Sequence, residues 1–478
     1  MSSYPEIHLY IGGKWRKTTD TLPVINPSTE QVIGSLPVAS QKDLADAVES
    51  AREGFKIWRV TSPQRRSQVI LKAARLMRER QEEIAQSISL ELGKPIRQSR
   101  LEVIRGCEFF EWDAGEAQRL YGRVIPSEQG IRYSVVREPV GCVAAFSPWN
   151  FPMSQPARKI AGALASGCSL IIKPAEETPA GAIHIAKAFE DAGLPAGVLN
   201  VVFGKPQDIS SYLIARDETR LVAFTGSTAV GRHLSKLAAE HMTPVLMELG
   251  GHAPVIVCED VDPEEAAVSS SIRKYRNAGQ VCTSPTRFFV HETLYESFIR
   301  HFIEQTKTLR VGCPLQEETQ MGPVAHAGRL QVLQELVDDA VQCGAKLLLG
   351  GKSLFKKGHY FAPTLLSDVP DDARVLREEP FGPIAVVKSI KNVEEGITLA
   401  NSVRFGLSAY GFTHSAANVY ALENGIEAGT ISINTLEASL PETPFGGVKF
   451  SGYGREGGEE GLHHYTNVKS ISHSMKIV

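Results

Sequence analysis

Cys282, Glu248 and Asn150 would, if brought together, equip a site for chemistry at a carbonyl carbon. A thiolate supplies the nucleophile, a partly desolvated carboxylate the general base, and a carboxamide a hydrogen-bond donor for an oxyanion. Each sits in a short, distinctive stretch: Pro148-Trp149-Asn150-Phe151-Pro152, Glu248-Leu249-Gly250-Gly251, and Gly279-Gln280-Val281-Cys282-Thr283-Ser284-Pro285. Taken singly they have plainer readings. A free cysteine is more often an inert core residue, Asn150 could cap a turn, and Glu248 could be an ion-paired glutamate at a strand or helix end. The polar residues flanking Cys282 predict an exposed loop, where a thiol can react.

The elements that must position these residues alternate along the chain. Ser62-Pro63 reads as a helix start, with apolar positions running through Leu71, Ala74, Met77 and Ile84 to Gly93-Lys94-Pro95, and a second helix extends to about Gly122. From Gly141, buried strands are expected over 143–146, 168–172, 199–203 and 221–224, with helices over 154–166, 179–191, 207–215 and 229–240 between them. That alternation predicts a parallel sheet covered by helices on both faces. It restarts after Gly251 with a strand over 254–258, a helix over 263–276, the Cys282 loop and a strand over 287–290. We therefore expect a first α/β domain of residues 1–125 and 140–249, and a second of 250–440. Residues 130–138 and 465–478 alternate like exposed edge strands, and an oligomerisation arm of 126–139 and 455–478 is expected, with a flexible tail as the plainer alternative.

Composition narrows the class. The 478 residues are 42% hydrophobic and 22% charged, carry 27 Pro and 41 Gly, and have a formal net charge of -3. These values describe a globular protein of two or three domains, with no bulk charge to draw nucleic acid or an acidic membrane. Seven scattered cysteines suggest neither a disulfide framework nor a metal site. With no leader pattern and no span of about 20 apolar residues, a cytoplasmic setting and a small-molecule partner are expected.

Two further motifs concern a nucleotide. Phe224-Thr225-Gly226-Ser227-Thr228 closes a predicted strand and opens a helix, where backbone N–H groups favour phosphate. The glycine spacing is neither G-x-G-x-x-G nor Walker A, so an ordinary strand-to-helix turn is the competing reading. Lys173-Pro174-Ala175-Glu176 ends the strand over 168–172, at the edge where open α/β sheets bind ligands. Glu176 could accept from both ribose hydroxyls and oppose a 2'-phosphate, or be a solvated loop charge.

Together the motifs resemble the aldehyde dehydrogenase superfamily, from Ile11-Gly12-Gly13-Lys14-Trp15 to Phe445-Gly446-Gly447-Val448-Lys449-Phe450-Ser451-Gly452, with Glu378-Glu379-Pro380-Phe381-Gly382-Pro383 between. The resemblance implies a Rossmann-type cofactor domain, an α/β catalytic domain and a small β arm that builds homodimers or homotetramers. It implies NAD as cofactor, with NADP possible, held by Ser147, Trp149, Lys173, Glu176, Gly226, Ser227, Leu249, Glu379 and Phe381, and no metal. It also implies that Cys282 attacks the aldehyde, that Asn150 and the Cys282 backbone N–H hold the oxyanion, and that hydride passes to the nicotinamide to leave a thioester. Glu248 then activates water. Relatives that transfer to coenzyme A usually lack this base, so the implied product is a free carboxylic acid.

Arg158 and Arg276 bear on the substrate. Each alone could be a structural ion-pair partner, whereas a pair near one tunnel would clamp a carboxylate. Matching arginines in succinate semialdehyde dehydrogenases bind the substrate's far carboxylate, with a serine that corresponds to Ser439; Phe445 opens the Phe-Gly-Gly motif beside it. The stretches around Glu248 and Cys282 are also similar to 2-oxoglutarate semialdehyde (2,5-dioxopentanoate) dehydrogenases. The expected substrate is a short ω-carboxy aldehyde. The alternatives are a broad aliphatic or aromatic aldehyde dehydrogenase and, from another class, a non-catalytic protein that retained the fold. His252 stands where many relatives carry Asn or Lys and could tune Glu248 or be structural. Ser284 replaces a second cysteine found in some relatives, which removes a disulfide switch there.

Overall fold

The computed structural model describes residues 4–475, so Met1, Ser2 and Ser3 and the last three residues of the expected arm lie outside the described residues. A sheet of eight strands forms the first half. Its parallel core runs in the order Leu199–Val201, Ser169–Lys173, Cys142–Phe146, Thr219–Thr225, Val245–Glu248. The chain therefore winds outward from Cys142–Phe146 in both directions. The switch point between Cys142–Phe146 and Thr219–Thr225 opens a crevice at the carboxyl ends of the strands. Leu9–Ile11 and Lys14–Arg16 close one edge, and Gly452–Tyr453 returns from the far end of the chain to pair antiparallel with Val245–Glu248 on the other.

Helix Ser154–Ser166 lies in the centre of this half, with every one of its residues buried. Small residues permit that depth: at Gly162 a Cβ would stand 2.6 Å from the Tyr465 ring. A helix buried all round leaves its charges no water, so Arg158 and Lys159 must be met by protein or ligand. The second sheet has seven strands, and apart from the antiparallel edge strand Lys346–Leu349 its pairings are parallel. The expected α/β fold class is present.

Two details differ from the sequence expectation. The helix expected over 62–95 is two, Pro63–Glu79 and Gln81–Leu92, broken where Arg80 leaves helical backbone angles and serves as a cap to both. The segment expected to start the arm, Ile131–Pro139, pairs along its length with Thr466–Ser474 and also with Arg123–Ile125. These edge-like segments thus pair with each other within the chain, and among the described residues Thr466–Ser474 is an outer strand of the three-stranded sheet.

Candidate active site

Cys282 lies where two cavities meet. One, of about 580 Å³, follows the carboxyl ends of the first sheet and is lined by Ser147, Trp149, Lys173, Glu176, Gly226, Ser227, Leu249, Glu379 and Phe381. The other, of about 840 Å³, runs between helices Ile96–Glu116, Ser154–Ser166 and Pro263–Tyr275 and is lined by Phe109, Phe151, Arg158, Arg276, Ser439 and Phe445, among others. Cys282 and Gln155 belong to both linings. Every residue expected to contact cofactor or substrate is thus gathered on one side or the other of the thiol.

The loop around Cys282 is internal, contrary to the exposed loop its polar residues predicted. Gln280, Thr283 and Ser284 are buried. Their polar groups are satisfied inside: the Gln280 side chain accepts from the Ala325 N–H at 2.8 Å, Tyr410 donates to the Thr283 carbonyl at 2.7 Å, and Lys274 donates to the Ser284 hydroxyl at 3.3 Å. Asn277 and Ala278 adopt left-handed angles, φ 50 and φ 53, so the backbone leaves helix geometry just before the nucleophile. Burial pushes the Cys282 thiol up to about 12, with Glu379 and Glu248 adding and Arg158 opposing. In the cofactor-free enzyme, carbamidomethylation of Cys282 by iodoacetamide is therefore expected to accelerate about tenfold per pH unit through the neutral range. A rate plateau below about pH 8 would show instead a preformed thiolate.

The Asn150 side chain donates to the Gln280 carbonyl at 3.1 Å, leaving one amide hydrogen over. Glu248 is 2% exposed and lines neither cavity; its Oε1 stands where a Cβ on Gly446 would come within 2.7 Å. Neither oxygen of its carboxylate has a hydrogen-bond partner among the described residues. Burial raises its pKa well above the usual carboxylate value, and the charge of Glu456 adds to this, while Lys159 and Arg158 act against it. Sequence reasoning missed that neighbourhood. Lys159 is fully buried and donates to Glu456 at 2.8 Å and to Thr225 at 2.7 Å. Glu456 lies 297 residues away in sequence, and no local pattern links the two.

His252 does not tune this base. Its ring nitrogens bond to the Thr286 hydroxyl at 2.8 Å and the Val375 carbonyl at 3.1 Å, and burial holds its pKa well below the ordinary histidine value. It is a neutral structural histidine.

In the second cavity Arg158, 5% exposed, donates to the Ser439 hydroxyl at 2.7 Å and lies over the rings of Phe109 at 3.9 Å and Phe445 at 5.1 Å. Its Nη1 is buried without a partner among the described residues. Arg276 lies over the Phe151 ring at 5.6 Å. Arg273, in the last turn of helix Pro263–Tyr275 and three residues before its cap Arg276, also lines the cavity and pairs with Glu437 at 3.1 Å. That i,i+3 spacing was the available signal for this third arginine.

The first cavity suits a nicotinamide dinucleotide. The Ser147 hydroxyl is buried with no partner among the described residues, the N-terminus of helix Thr228–Glu240 opens behind Ser227, and carboxylates stand at both ends, Glu176 paired with Lys173 at 2.7 Å and Glu379 accepting from the Gly251 N–H at 3.1 Å. Trp149 and Phe381 meet edge to face at 5.4 Å.

Comparison with known proteins agrees with this arrangement. The aldehyde dehydrogenase family profile matches residues 15–471. A 4-(hydroxymethyl)benzenesulfonate dehydrogenase of Comamonas testosteroni is 43% identical over 96% of this chain and 97% of its own. A glutarate-semialdehyde dehydrogenase of Pseudomonas putida is 38% identical over 97% and 96%. The crystal structure of a succinate-semialdehyde dehydrogenase from Burkholderia pseudomallei superposes with a TM-score of 0.96 at 36% identity, over 99% of both chains. Likeness of this extent runs through both cavities and the thiol between them, and the chain belongs to the aldehyde dehydrogenase family as an NAD(P)-dependent aldehyde dehydrogenase.

Proposed function

We propose that the enzyme oxidises a short ω-carboxy aldehyde, of the succinate semialdehyde or 2-oxoglutarate semialdehyde type, to the dicarboxylic acid. One observation carries this reading: a buried guanidinium, Arg158, with an unpartnered nitrogen and a serine hydroxyl beside it, in the cavity that ends at Cys282. Among the described residues Arg158 makes no direct ion pair, the charges of Glu456, Glu248 and Asp113 reaching it without salt-bridge contact; a buried cation so placed is costly, and a substrate carboxylate would supply a direct partner.

In this reading Arg158, Arg276 and Ser439 hold the far carboxylate, and Phe445 and Phe109 flank the chain. Cys282 gives up its thiol proton to water and attacks the carbonyl carbon as thiolate, and the oxygen's new charge is taken by the free Asn150 amide hydrogen and the Cys282 backbone N–H. Nicotinamide bound in the first cavity supplies the hydride acceptor that makes the adduct a thioester. Ser147, Trp149, Gly226, Ser227, Leu249, Glu379 and Phe381 hold that cofactor. Glu248 then turns toward the thioester and takes a proton from water as the oxygen bonds to carbon; the C–S bond breaks and the acid leaves. NAD is the proposed cofactor. The Lys173–Glu176 pair also leaves a cation to meet a 2'-phosphate, so use of NADP is part of the reading.

We also propose the division into a cofactor domain of residues 1–125 and 140–249, a catalytic domain of 250–440 and an oligomerisation arm of 126–139 and 455–478. Exposed Val468 and Ile471 on this outer strand support assembly as a homodimer or homotetramer.

The test is NAD reduction with succinate semialdehyde beside butanal, in the wild type, Arg158→Ala and Arg276→Ala. Each substitution is expected to raise KM for the semialdehyde by about 10- to 100-fold and to leave butanal within about twofold. Equal use of butanal by the wild type would reduce the arginines to structural braces. A second reading lengthens the substrate: the larger cavity, with Phe109, Phe151, Phe412 and Phe445 in its lining, has room for an aromatic ring bearing an anion, and the relative at 43% identity is named for 4-(hydroxymethyl)benzenesulfonate. A higher kcat/KM for 4-carboxybenzaldehyde than for the semialdehyde would favour it.

A further inference from the structure

Lys94 and Glu102 form an ion pair 1% exposed on each side that lines neither cavity and is unused by the chemistry above. The local sequence explains its depth. Gly93, at φ 81, ends helix Gln81–Leu92 in left-handed geometry and turns the chain inward; Pro95 then starts helix Ile96–Glu116, which carries Glu102 on a buried position. A pair this deep gains little stability over an apolar pair of similar size, because both ions lose their water. What sets it apart is where its remaining hydrogen bonds go.

Both partners reach the turn 150–154. The Lys94 ammonium donates to the Asn150 carbonyl at 3.0 Å and covers the Phe151 ring at 3.9 Å. Glu102 Oε1 accepts from the backbone N–H of Met153 at 2.9 Å and of Ser154 at 3.3 Å. The turn is gripped at both ends by one ion pair. The Asn277 side chain adds a second donor to the Asn150 carbonyl at 3.1 Å and also reaches the Gln280 carbonyl at 3.3 Å. Gln280 O is the same oxygen to which the Asn150 amide donates. The Glu102 carboxylate further sits at the N-terminus of helix Ser154–Ser166, where negative charge is favoured, and so also fixes the start of the helix that carries Arg158.

We propose that Lys94 and Glu102 are positioning residues for the oxidation: by pinning the 150–154 turn they set the Asn150 amide against the nucleophile loop, at the place where charge develops on the substrate oxygen. This rests on the reading of Asn150 as the oxyanion donor. An amide already aimed before the reaction stabilises that charge without reorganising, and an error of about 1 Å in such a group costs on the order of 100-fold in rate.

The experiment is a double-mutant cycle in the full-length enzyme with Lys94→Met, Glu102→Gln and Asn150→Ala, using the aldehyde that the wild type turns over fastest. Thermal midpoints with and without NAD accompany the kinetics. Lys94→Met is expected to lower kcat by about tenfold or more while KM stays within about twofold, and to cost less than about twofold further when Asn150 is already alanine. Glu102→Gln keeps an acceptor for Met153 and Ser154, so a smaller loss with the same non-additivity is expected; it carries the test if Lys94→Met does not fold. Losses that multiply with that of Asn150→Ala, or folded single variants of Lys94 and Glu102 with unchanged kcat, overturn the proposal. An Asn150→Ala enzyme with intact kcat has a different signature: it removes the oxyanion reading itself, and the pinning proposal with it.

Discussion

Cys282→Ser is expected to lower kcat by a factor of about 10⁴ or more, because a buried hydroxyl is a far weaker nucleophile than a thiolate and ionises far less readily. The cavities meet at this one sulfur, and among the described residues no other cysteine lines either of them. The loss should fall on kcat alone, with the NAD-induced rise in thermal midpoint retained, since serine preserves the volume of the site. Peptide mass spectrometry after iodoacetamide should show that the label at Cys282 has gone. Residual turnover within about tenfold of wild type would remove Cys282 from the mechanism.

Glu248→Gln should produce a different failure. The first half-reaction needs no general base at this position, so a burst of reduced NAD equal to the enzyme's active sites is expected, followed by a steady rate about 10²- to 10³-fold below wild type. A covalent acyl adduct on the Cys282 peptide, seen by mass spectrometry, should accompany the burst. The pH dependence follows from the direction of the shift. A carboxyl whose pKa is raised stays protonated at lower pH and cannot act as a base until pH climbs through that value. Deacylation in the wild type should therefore rise with pH. Glu456 is one cause of the elevation and Lys159 opposes it, so Glu456→Gln, which removes the first and frees the second, should move the rising limb to lower pH. An unmoved limb would show that the titrating group is not Glu248.

The elements nearest the chemistry were the most legible in the sequence. Helix 154–166 emerged with its expected bounds because Pro152 precedes it and Gly167 follows it, and the buried strands were marked by short apolar runs between turn residues. The candidate site was legible where a local motif marks it: Asn150, Cys282 and the two arginines line the two cavities, while Glu248 lies buried outside both linings. The Cys282 loop was misjudged because polar side chains read as exposed, whereas here each polar group finds a partner inside the protein. What stayed hidden were pairings across long separations. Lys159 with Glu456, and Lys94 with Asn150, depend on how helices stack, and periodicity carries no record of that. Arg80 was missed for a smaller reason: a break without proline or glycine leaves the apolar pattern on either side intact.

The return of Gly452–Tyr453 to the edge of the first sheet has a consequence for biosynthesis. The last strand of the cofactor half, and the Glu456 carboxylate that sets the electrostatics of Glu248, leave the ribosome only after the entire seven-stranded sheet has been made. The early half must wait with one strand edge unpaired while some 200 residues are added, at about 5–20 residues per second. Closure of the first sheet is thereby tied to synthesis of residue 452 and beyond, and a nascent chain that stops short of it presents the cleft with one sheet edge unpaired and Glu248 without its Glu456 neighbour.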